Sequence, residues 1–123
     1  MTPGRIATLL GSLAVLGIGG GALTWPRKAT RTYGIPNDDA DTHAYVRAVA
    51  ARDLTMGLFV LWAAVADDRQ AMKAGLAACT LAPLADFILA RDRRGMIPQL
   101  ITHGSGVVGV LAAWAILNAE DAA

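Results

Sequence analysis

The sequence predicts an all-α fold, an integral membrane antiparallel four-helix bundle formed as a single domain over residues 1–123. Three observations predict it. The chain is 54% hydrophobic and only 17% charged, with a mean hydropathy of +0.43. A soluble domain of this size leaves too much surface exposed to hide that apolar content. The apolar residues collect in four blocks in series, which marks a membrane bundle rather than a helical hairpin buried in a soluble partner. Two of the polar links, "DDRQ" and "RDRRGM", are so short that the helices they join must be antiparallel neighbours.

The first block, "IATLLGSLAVLGIGGGAL", covers Ile6–Leu23 without a charge and predicts a helix over about 6–24. Trp25 and Pro26 end it. No A-x-A-like cleavage site follows, so a retained helix is expected rather than a signal peptide. Gly17 and Gly21 form a GxxxG, which permits a close helix contact and a homo-oligomer. The connection "TWPRKATRTYGIPNDDADT" carries turn residues, and its "DDADT" end supplies N-cap candidates for the next helix. Helices are predicted over about 43–66, 71–90 and 98–118. Pro83 lies inside the third and should kink it or free a backbone carbonyl. Pro98 fits the opening turn of the fourth.

Lysine and arginine in short loops set orientation. Loops one and three carry Arg27, Lys28, Arg31, Arg91, Arg93 and Arg94, against Arg5, Arg69 and Lys73 on the other side. This predicts a multi-pass protein with loops one and three in the cytoplasm and both termini outside. Trp25 and Tyr33 mark one interface, Trp62 and Trp114 the other.

Several function classes are disfavoured. A net charge of +1 without a basic, aromatic-studded run argues against a nucleic-acid partner. The single cysteine, Cys79, excludes an internal disulfide and a CxxC pair, and reads as a small buried hydrophobe. No nucleotide loop or nucleophile elbow is present. His43 and His103 stand sixty residues apart, so neither a metal nor any other cofactor is expected.

The informative residues are charges in the wrong place. Arg52 and Asp53 interrupt "AARDLTMG" within the second block, nine and ten residues after His43, which puts them roughly 14 Å into the membrane. Asp86 and His103 each lie five residues from the same boundary, roughly 7 Å deep. Antiparallel threading therefore brings Arg52, Asp53, Asp86 and His103 into one half of the bilayer. A charge at the bilayer centre costs about 2.5–3.5 kcal/mol on insertion scales, so these groups must face inward and pair. Arg52 and Asp53 point about 100° apart on a helix, which sends Arg52 towards Asp86 and leaves Asp53 for His103 or a ligand. Tyr45 lies two turns from Arg52 on the same face, and Arg47 can snorkel to the headgroups. Tyr45, Arg47, Met56, Trp62 and Ser105 make up the expected substrate-binding set. The competing account is that buried ion pairs only fix helix register.

The order of features, "YGIP", "RAVAARDLTMGL", "APLADFIL", a basic turn and "HGSGVV", resembles a small four-transmembrane-helix family of unknown function. That family is distantly similar to the DoxX-like membrane proteins. Arg52-Asp53-x-x-x-Gly57, Asp86 and His103-Gly104 carry the resemblance. It implies the four-span architecture and no established activity. Some DoxX-like relatives are tied to quinone and sulfur redox chemistry, but no cysteine pair or haem-spaced histidine pair is present here.

In low dielectric one carboxyl can hold its proton while a nearby arginine keeps the other ionised, which yields one acid and one base. The residue types resemble the Asp–Arg–Asp set of limonene-type epoxide hydrolases on an unrelated fold. The first expectation is thus a cofactor-free membrane enzyme. Asp53, Asp86, Arg52 and His103 are its catalytic residues, performing acid–base chemistry (epoxide opening or hydrolysis, cyclisation or isomerisation) on a lipophilic small molecule that enters from the lipid bilayer. The alternative is a non-catalytic membrane subunit or small transporter that binds a quinone, an ion or a protein partner.

Overall fold

The computed structural model describes residues 1–33, 35, 37–94 and 104–122. Among these the chain is helical throughout, with five helices and no strand. They are α1 (Pro3–Thr24), α2 (Pro26–Tyr33), α3 (Ala40–Val65), α4 (Arg69–Arg94) and α5 (Ser105–Asp121). Three helices, α1, α3 and the Arg69–Ile88 part of α4, are long and apolar enough to cross a membrane. The expected opening of the last helix at Pro98 lies outside the described residues.

Local chemistry sets the helix starts. Thr2 accepts from the Arg5 N–H at 3.3 Å, and Pro3 fills the first turn of α1. Asp39, within "DDADT", accepts from the Thr42 N–H at 2.7 Å and caps α3. That backbone N–H holds the Asp39 carboxyl below the usual range. Helix α3 ends as a Schellman turn: the N–H groups of Asp68 and Asp67 donate to the carbonyls of Ala63 and Ala64. Asp67 takes the left-handed conformation there, with φ 57°. Asp68 then caps α4 by accepting from the Ala71 N–H at 3.0 Å.

The connection read from sequence as turns contains a helix, α2. Pro26 both stops α1 and opens α2, because a proline is tolerated at a first helical position. The residues up to Tyr33 contain no further breaker; Gly34 and Pro36 come only afterwards. Asp38 ties α2 to α3, 2.6 Å from Arg27 Nε and 2.6 Å from His43 Nε2. The His43 hydrogen bond, aided by Arg27, holds the Asp38 carboxyl low.

Helix α1 packs most extensively on α3 and also touches α5, while α4 packs on α5 and α3. Helix α2 lies against α3 and α1. The close packing of α1 on α3 is made by Gly19 and Gly57. A Cβ at Gly57 would stand 2.9 Å from Leu16 Cγ, and one at Gly19 would stand 3.1 Å from the Ala50 carbonyl. The GxxxG pair is not this contact, since a Cβ at Gly17 or Gly21 meets nothing within 4 Å. Gly57→Ala is therefore expected to destabilise the fold by about 1–3 kcal/mol through overpacking. Gly17→Ala is expected to leave thermal unfolding in detergent unchanged or slightly improved. Equal effects of the two changes would contradict this packing.

Two buried clusters result. Val60, Ala63, Met72, Leu76, Cys79, Ala113 and Leu117 fill the end that holds the N-terminus of α1. Ala22, Val46 and Ala50, with Tyr33 against them, fill the other end. An ionic clamp closes the first end. Arg5 reaches the Ala64 and Val65 carbonyls and Asp67, at 2.8, 3.0 and 3.1 Å. Glu120 accepts from the Gly4 N–H at 2.6 Å and from Arg69 at 3.0 Å. Asp121 pairs with Lys73. Large apolar side chains meanwhile face outward along the helices: Leu10 is 63% exposed, Leu58 57% and Leu81 67%.

Candidate functional site

Between the two clusters lies a cavity of about 140 Å³. Its charged wall is built from α3 and α4. Arg52 donates from Nε and Nη2 to Asp53 Oδ1, at 3.0 and 2.9 Å. The same Nη2 donates to Asp86 Oδ2 at 3.0 Å, and Nη1 lies 3.5 Å from Asp86 Oδ1. One guanidinium therefore bridges two carboxylates from antiparallel helices. Both carboxylates are largely buried, with 17% and 29% of their side-chain surface exposed.

The sequence argument sent Arg52 to Asp86 alone. The Cα–Cβ directions of adjacent helical residues do diverge by about 100°. Arginine's long stem and five-donor fork overcome this, folding along the helix to reach both partners.

The structure brings Arg52, Asp53, Asp86 and Met56 to one cavity. The other expected residues fall elsewhere or are not described. Tyr45 is 63% exposed and absent from the cavity wall, and Arg47 and Ser105 are likewise exposed outside it. Trp62 is 57% exposed near the far end of α3, with its ring 6.0 Å from that of Phe59. His103 lies outside the described residues. Val15 and Ile18 of α1 and Val110 of α5 supply apolar wall, and Cys79 and Pro83 of α4 add to it. Among the described residues no group of three or more His, Cys, Asp and Glu side chains could hold a metal ion.

The family model described as Domain of unknown function (DUF4267) matches residues 12–117. The chain belongs to the DUF4267 family. This match agrees with the expected family of unknown function, and no likeness to DoxX-like proteins accompanies it. Nothing matches among the curated proteins or among the solved structures. The matched segment of the DUF4267 chain contains the whole polar wall of the cavity, from Tyr33 to Asp86.

Tyr33 is the cavity residue that sequence reasoning missed. It was visible in "YGIP", but reads there as an interface aromatic on a loop. Helix α2 instead turns it inward, onto Ala22, Val46 and Ala50 and against the cavity. Burial is the main cause that raises its phenol above the ordinary value of 10.0. The neutral phenol is the form held at physiological pH. In a Tyr45→Phe background, where Tyr33 is the sole tyrosine, phenolate absorbance is expected to appear only above the pH at which a free tyrosine ionises. Titration at the free value would show Tyr33 to be in water.

Proposed function

We propose that this DUF4267 protein is a multi-pass membrane enzyme that opens a lipophilic epoxide by acid–base chemistry, without a cofactor. Helices α1, α3, α4 and α5 are read as four spans, with loops one and three cytoplasmic. The outward-facing leucines support the membrane setting, since a contiguous apolar surface of this extent is not kept against water. One observation carries the chemical reading: a single arginine holds two carboxylates at the wall of a largely apolar cavity. One positive charge stands against two carboxyls, and neutrality in such surroundings is met when one carboxyl keeps a proton.

Asp53 accepts two N–H bonds on one oxygen and is the better-stabilised anion, hence the base. Asp86, with one 3.0 Å bond and a longer second contact, is the acid. Asp86 gives its proton to the epoxide oxygen as the C–O bond breaks. Asp53 takes a proton from water as the new C–O bond forms. The product is a vicinal diol, and transfer of the proton from Asp53 to Asp86 restores the starting state. Cyclisation or isomerisation would use the same acid without the water.

The cavity volume limits the reacting part of the substrate to about the size of a benzene ring. The test is to incubate the full chain in lipid nanodiscs with cyclohexene oxide and styrene oxide in ¹⁸O-labelled water. Diol carrying one ¹⁸O is expected. Unchanged epoxide with both, together with Asp53→Asn and Asp86→Asn variants that simply unfold, would favour the register-fixing role and a non-catalytic subunit.

A further inference from the structure

Tyr33 is the last residue of α2, and its place is fixed by its neighbours. Thr30 is 1% exposed and donates to the Arg27 carbonyl at 2.9 Å. The Ile35 N–H returns to the Thr30 carbonyl at 2.9 Å, and Ile35 and Tyr33 both pack on the cluster of Ala22, Val46 and Ala50. Two helical stripes run from this cluster into the cavity. On α3, Val46, Ala50 and Asp53 follow one another at spacings of four and three; on α1, Ala22, Ile18 and Val15 do the same. Val46, Ala50 and Ala22 hold Tyr33, and Asp53, Ile18 and Val15 line the cavity. Tyr33 belongs to both places, so it closes the cavity at the end nearest α2.

Among the described residues, Tyr33 carries the only hydroxyl on the cavity wall. The other polar groups there are poorly suited to hold a ligand's oxygen. The Arg52 fork is turned to its two carboxylates. An ionised carboxylate only accepts, and a thiol such as that of Cys79 is a weak donor. We infer that Tyr33 is a substrate-binding residue. Its O–H donates to the oxygen of a small lipophilic ligand, so the cavity selects epoxides and ketones over hydrocarbons of the same shape. This deepens the hydrolytic reading above and rests on its ligand cavity, not on turnover. In epoxide opening Tyr33 keeps its own proton. It holds the oxygen to which Asp86 delivers a proton, and steadies the negative charge that gathers there as the C–O bond breaks.

In Tyr45→Phe, Tyr33 is the sole tyrosine, so ¹³Cζ-tyrosine labels one phenol carbon in the full chain. Cyclohexanone and methylenecyclohexane share a shape, and only the ketone carries an oxygen acceptor. In nanodiscs, saturating cyclohexanone is expected to move the Tyr33 ¹³Cζ signal, and methylenecyclohexane to leave it nearly in place. Tyr33→Phe keeps the ring that packs on Ala22, Val46 and Ala50. In equilibrium dialysis against empty nanodiscs it is expected to bind methylenecyclohexane as the wild type does. Its preference for the ketone should fall about fivefold, the loss of one hydrogen bond. A signal that moves equally with both ligands, or with neither, would overturn the assignment. The second of these is also the result if the phenol spends its proton on a carboxylate of the protein. The spectra leave Tyr33 unaltered, so they decide the matter even where Tyr33→Phe fails to fold. Loss of the enzyme reading would show separately, as intact epoxide in the nanodisc assay while cyclohexanone still moves the signal.

Discussion

Arg52→Met is expected to destabilise the protein by about 3 kcal/mol and to abolish turnover. Methionine keeps much of the stem's packing and removes only the charged fork. Breaking a buried pair from one side costs about 3–5 kcal/mol, because the partner is left desolvated and unpaired. The lower figure applies because 38% of the Arg52 side chain is exposed. Two carboxylates lose their donor at once, since Nη2 alone serves both Asp53 and Asp86. The triple variant Arg52→Met, Asp53→Leu, Asp86→Leu is expected to recover most of the loss, as hydrophobic residues of similar volume often replace a buried ionic set without penalty. Thermal unfolding of the three proteins in one detergent checks this. A single variant as stable as wild type would mean that these charges are individually solvated and do not form a unit.

The charges were legible in the sequence because of where they interrupt it. An Arg–Asp pair within an apolar block is too costly to face lipid, so burial and pairing follow from the residues alone. The antiparallel order of the helices then supplies Asp86 at a compatible level. The bridging of both carboxylates by one guanidinium was not legible. Helical periodicity describes Cα–Cβ directions, and a long side chain can cancel a 100° divergence. Tyr33 was hidden for a different reason. Its segment carries turn-forming residues on one side and a proline on the other, and that proline begins a helix as readily as it ends one. GxxxG misled because glycine spacing shows where a backbone can be approached, not by which helix. The pair actually used, Gly19 and Gly57, sits on two different helices and has no signature in one strand of sequence. Tyr45, Arg47 and Trp62 were placed by face and depth alone, which cannot tell a cavity wall from the outer surface.

Asp53→Asn and Asp86→Asn are each expected to lower kcat for epoxide hydrolysis by about 10²–10⁴, the usual contribution of one positioned acid or base. Their repair should differ. A base is needed only because water is a poor nucleophile until it loses a proton. Azide needs no such help, so Asp53→Asn supplied with azide is expected to open the epoxide to the azido-alcohol. Asp86→Asn lacks the proton for the epoxide oxygen, a defect that azide does not address, and should remain inactive. The asymmetry follows from the geometry at Arg52. Asp53 Oδ1 receives two short bonds from the guanidinium and Asp86 Oδ2 receives one, and the proposed roles of base and acid are assigned on that difference. Rescue of Asp86→Asn by azide, with none of Asp53→Asn, would exchange the two roles. Rescue of neither, in variants that keep wild-type stability, would rule out a separate acid and base at this arginine.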